Sequence, residues 1–130
     1  MRRHSFILLF VLGVASCGST PTMPSLEGEW GGDHALLTVS DQTSHVELDC
    51  AHGDFSSALH SDRFAVAGTF VREHGGPIRV DEKADSHPAM FSGTVSGSSM
   101  TLTIHLTDTN ESIGSFTLSR GSPGRVVKCV

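Results

Sequence analysis

From Leu26 onward, apolar residues recur at every second position, and nowhere does a stretch of ten residues carry a helical stripe. "HVELDC" puts Val46, Leu48 and Cys50 on one face and His45, Glu47 and Asp49 on the other. "RFAVAGTFV" groups Phe64, Val66, Gly68 and Phe70, and "AMFSGTV" groups Phe91, Gly93 and Val95. "MTLTIHLT" sets Met100, Leu102, Ile104 and Leu106 against Thr101, Thr103, His105 and Thr107. "SFTLS" adds Phe116 and Leu118, and "RVVKCV" adds Val127 and Cys129. An opening strand over "GEWGGDHALLTV" and a short one from Asp54, "DFSSAL", complete a set of seven or eight.

The joints "SDQTS", "HSD", "SGSS", "DTNES" and "RGSPG" are rich in turn-forming residues. Short joints make sequential strands antiparallel neighbours. The longest gap runs from Arg72 to Pro88 and contains "EHGGP". Six or more strands with one apolar face each must curl to bury that face, so the expected fold is all-β, a small antiparallel meander barrel of seven or eight strands. Strands of about 6–8 residues would make it short, and its inward side chains would fill it.

The first residues follow a different pattern. Arg2 and Arg3 precede an apolar run of roughly ten residues, too short for the ~30 Å hydrocarbon core of a bilayer. Small residues follow, and then Cys17, in "VASC". This layout divides the chain into a signal peptide over residues 1–16, Cys17 with a flexible tether "GSTPTMPS" over residues 17–25, and a barrel domain over residues 26–130.

"VASC" resembles the bacterial lipobox. The resemblance implies a diacylglyceryl thioether on Cys17, cleavage before it, and a lipid-anchored place in the cell envelope. Gly18 rather than Asp after the cysteine implies the outer membrane over the inner one. "WGGDH", "DCAHG", "EHGGP" and "GRVVKC" resemble segments of a group of short bacterial lipoproteins to which no activity is attached. Gly28-Glu29-Trp30 on the first strand, with Arg120 or Arg125 near the end, resembles the lipocalin-like (calycin) signature. That resemblance implies a tryptophan plugging the barrel base under an arginine, a cation–π contact.

Removing residues 1–16 lowers Lys plus Arg from 9 to 7 against 14 acidic residues, a formal charge of −7. Such a chain lacks the basic footprint that nucleic acid requires. With Cys17 acylated, Cys50 and Cys129 remain, and an exported pair reads as a disulfide. Both cysteines are expected on core-facing strand positions, so the bridge would tie the C-terminus to the second strand.

Histidine is abundant, but no HxH or HExxH spacing is present; His34, His52 and His74 at strand ends are the weak metal candidates. No GxSxG elbow presents a serine, and a bridged Cys50 cannot act as a nucleophile beside His52. The sequence therefore assigns no catalytic residue, no cofactor and no particular ligand-binding residue. The reading it favours is a non-enzymatic, membrane-anchored envelope binding or structural module, partnering an envelope protein. A lipocalin-like carrier of a small apolar ligand is the alternative, and a His-rich metal binder stands behind both.

Overall fold

The described residues form eight strands: β1 (Gly28–Gly32), β2 (Ala35–Val39), β3 (Ser44–Leu48), β4 (Ala51–Phe55), β5 (Arg63–Arg72), β6 (Asp85–Ser96), β7 (Ser99–Leu106) and β8 (Ser112–Arg120). Each pairs antiparallel with the next, and β8 returns to β1, closing the expected meander into a barrel. The computed structural model describes residues 25–130 except 57, 58 and 60, together with Gly13 and Gly18. The expected signal peptide apart from Gly13, the expected lipidation site Cys17, most of the expected tether and His60 lie outside the described residues.

The period of two works as pleat geometry requires. On β3, Ser44, Val46 and Leu48 are buried while His45 and Glu47 are half-buried. On β7, Met100, Leu102, Ile104 and Leu106 are buried. Trp30, Leu37, Phe70, Phe91 and Leu118 join them inside. Phe64, Val66, Val95 and Phe116 pack against this core but are only partly covered.

Glycines make room for the Phe91 ring. Phe91 stacks on Phe55 with centroids 4.7 Å apart. A Cβ at Gly53 would lie 2.7 Å from Phe91 Cζ, and one at Gly68 would lie 3.0 Å from Phe91 Cε2. Absent side chains on two strands thus let one aromatic ring span the interior.

At one end, Trp30 is fully buried and its Nε1 donates to the Leu26 carbonyl at 2.9 Å. Arg120, not Arg125, covers it, with the guanidinium carbon 4.3 Å from the ring centroid. Arg120 also donates to the carbonyls of Ser25 and Glu27, holding the entering chain beneath the barrel. Arg125 instead pairs with Asp33.

Several strand limits differ from the sequence reading. "GEWGGDHALLTV" is two strands, because Asp33 and His34 form a tight turn with His34 at φ 69°. "HVELDC" stops at Leu48, since Cys50 takes φ 51° and reverses the chain. β4 therefore starts at Ala51 and ends at Phe55, earlier than "DFSSAL" implied. β5 and β6 pair as far as Arg72 with Asp85, so strand lengths run from 5 to 12 residues and the gap shrinks to 73–84. Backbone pairing continues there without apolar alternation.

"RVVKCV" is not a barrel strand, and Val127 is 69% exposed rather than in the core. After β8 the chain folds back along the outside of β1. Gly121 N donates to Glu29 O, Arg125 N to Gly32 O, and His34 N to Arg125 O. A Cβ on Gly31 would fall on the Ser122 carbonyl and lie 2.6 Å from Gly124 N, so the returning segment demands glycine there.

Candidate functional site

The connections after β1, β3, β5 and β7 gather at the end opposite Trp30. There the barrel opens into a cleft of about 520 Å³ whose wall includes Leu48, Phe70, Ile113 and Phe116. Arg72 follows Phe70 by two residues, and its guanidinium lies 6.0 Å from the Phe70 ring centroid. Arg72 Nη2 donates to both carboxylate oxygens of Glu111 at 2.8 Å, linking the end of β5 to the start of β8. This bond to Glu111 holds the guanidinium above its ordinary range against the opposing effect of burial. The mouth thus has apolar walls and a charged rim.

The C-terminal segment braces this rim. Val127 N donates to Asp49 Oδ1 at 2.7 Å, and Cys50 N donates to Val127 O at 3.2 Å. The Val127 amide, with His34 at 2.5 Å, holds the Asp49 carboxyl below its usual range. Cys50 and Cys129 are bridged across a separation of 79 residues, with Cα atoms 4.9 Å apart. The bridge does not lie on core-facing strand positions. Cys50 is in the β3–β4 turn and Cys129 is in the tail, both half-buried, so the bridge ties the tail to a turn rather than to a strand.

Lys128 makes the second attachment. Its Nζ reaches Glu47 at 2.6 Å, Glu73 at 2.5 Å, and the carbonyls of Ala51 and Leu48 at 3.0 and 3.3 Å. Burial disfavours its charge, but the two carboxylates outweigh that and its pKa rises. Lys128 in turn draws the Glu73 carboxyl down. Glu47 continues to His45 at 2.7 Å, and His45 to Asp54 at 2.6 Å. Burial opposes protonation of His45, and those two carboxylates overcome it. His45 stacks on His52, which pairs with Glu73 at 3.3 Å. Sequence reasoning missed this network, because Lys128 and Glu47 are 81 residues apart and no local motif links them.

The weak metal candidates do not converge. His34 pairs with Asp49, His52 with Glu73, and His74 with Glu82 at 2.5 Å. The Gly75 carbonyl and then Glu82 raise the His74 pKa. His87 lies between Asp108 and Asp85, both at 2.8 Å, and Asp108 contributes most to raising its pKa. Among the described residues, no group of three or more His, Cys, Asp and Glu side chains is arranged to hold a metal ion. His52 faces Glu73 rather than the sulfur of Cys50, which the bridge occupies. No protein-family model, curated protein or solved structure matches the chain significantly.

Proposed function

We propose that this protein is a bacterial envelope lipoprotein, anchored through Cys17, whose barrel serves as a binding or structural module. The observation that carries the module reading is the interior: Trp30, Phe91, Leu102, Ile104 and Leu118 fill it, and the mouth cleft lies at the barrel's end rather than through its core. Burying each such side chain stabilises the fold by roughly 1.5–3 kcal/mol, which a domain of this size needs more than it needs a deep cavity. The entering chain lies at the Trp30 end. A lipid on Cys17 would thus attach at the Trp30 end through up to ~27 Å of tether, which leaves the mouth accessible to an envelope partner.

One observation favours the alternative of a small apolar ligand carried by a lipocalin-like barrel. The mouth cleft, at about 520 Å³, falls within the ~300–1,000 Å³ of ordinary ligand sites, and Phe70 and Phe116 wall it. The Trp30–Arg120 contact supports the same resemblance.

Two measurements test these readings. Labelling with a palmitate analogue should mark the wild type and not Cys17→Ser; equal labelling removes the anchor. Native mass spectrometry of the delipidated domain should show the bare mass. A retained small apolar molecule would transfer the assignment to the carrier, and a retained metal to the histidine reading.

A further inference from the structure

The chain contains one asparagine, and it stands in "DTNES". Asn110-Glu111-Ser112 is an N-x-S acceptor sequence, and Asp108 precedes the asparagine by two residues. We infer that Asn110 is a site of N-linked glycosylation. This rests on the exported part of the functional reading and not on what the mouth binds.

The geometry suits the chemistry. Residues 107–112 are all exposed, at the turn between β7 and β8 on the mouth side of the barrel. Asn110 takes φ 59°, which places it in the left-handed region and reverses the chain. Its Oδ1 accepts from His105 Nε2 at 2.9 Å, while Nδ2 has no partner among the described residues. The Ser112 hydroxyl likewise has none. The amide nitrogen that must react is thus presented on a reversed, solvent-facing segment with its hydroxyl partner two residues on. Asp108 is exposed, and His87 holds its carboxyl below the usual range, so it is an anion that a basic pocket of the transferring enzyme would take over from His87.

The donor class is an oligosaccharide on a polyprenyl diphosphate. Asn110 Nδ2 forms a bond to sugar C1 as the C1–O bond to phosphate breaks. The electron pair leaves with the lipid diphosphate, and the amide proton passes to a carboxylate of the transferase. No oxidation or reduction occurs. A glycan here would stand beside Glu111, on the rim of the mouth cleft.

Turn geometry alone also favours asparagine at a left-handed position, and the test separates that explanation. Purified full-length chain is incubated with a bacterial oligosaccharyltransferase and its lipid-linked oligosaccharide, which makes the result independent of export. Mass spectrometry should find one glycan on the peptide containing Asn110. Asn110→Gly keeps the left-handed turn, and Ser112→Ala keeps the asparagine; both should abolish the product while circular dichroism stays that of the wild type. Asp108→Ala should lower occupancy about tenfold, the loss of one charge-assisted hydrogen bond. An unmodified wild-type chain beside a modified control acceptor overturns the proposal, as does a product that survives Ser112→Ala. Failure of lipid labelling at Cys17, by contrast, would overturn the address and leave the in vitro result standing.

Discussion

The guanidinium of Arg120 lies over the buried indole of Trp30, its central carbon 4.3 Å from the ring centroid, although the two residues are 90 positions apart in the chain. They are register partners across the β8–β1 seam, so this contact forms only when the barrel closes. The same guanidinium donates to the carbonyls of Ser25 and Glu27. Arg120→Ala should therefore cost about 1–2 kcal/mol and increase amide exchange at residues 26–28 more than elsewhere. Uniform exchange across the barrel would show that the contact does not hold the entering segment.

The Cys50–Cys129 bridge closes a long loop, and the chain-entropy estimate for it is ~4.5 kcal/mol. Reduction, or Cys50→Ala with Cys129→Ala, should lower Tm on the order of 15 °C or more in a domain of about 105 residues. The change should appear first as exchange at residues 125–130, since Val127 and Lys128 depend on the same turn. An unchanged Tm would mean that Lys128 and the Val127 amide suffice.

Phe91 is fully buried, and its ring occupies the space above Gly53 and Gly68. Phe91→Ala should cost roughly 3–5 kcal/mol and open an apolar cavity. Gly53→Ala should cost about 1–3 kcal/mol by forcing that ring aside. Denaturant unfolding measures both, and a neutral Gly53→Ala would show that the core can repack.

Stability should depend on pH at two places. His45, His74 and His87 all have folded pKa values above the ordinary 6.5. Their contribution is complete below that value and fades as pH rises through the folded pKa. Glu47, Asp49, Glu73 and Asp108 are lowered from ordinary values of 4.5 or 3.8, so their contribution is present above those values and fades as pH falls. Tm should be higher near about pH 5.5 than near about pH 8, and should drop again in stronger acid. His87→Gln should flatten the alkaline side. A Tm constant across neutrality would contradict this.

Much of the barrel was legible because strand pleating repeats every two residues, and alternation in "HVELDC" or "MTLTIHLT" records which face is buried. The all-β class and the meander follow from that local pattern, and the pairing of Cys50 with Cys129 is expected once the lipobox resemblance sets Cys17 aside. Tight turns escaped it. Cys50 and His34 reverse the chain through positive φ, a backbone state that is uncommon for any non-glycine residue and that a period of two does not record. The tail escaped it as well, since "RVVKCV" alternates like a strand yet satisfies its backbone against two turns. The mouth, with Arg72 on Glu111 and Lys128 among Glu47, Glu73 and two carbonyls, is made of contacts between distant segments. Such contacts depend on barrel closure and register, which only the tertiary structure decides; composition and periodicity constrain neighbours along the chain, not neighbours across it.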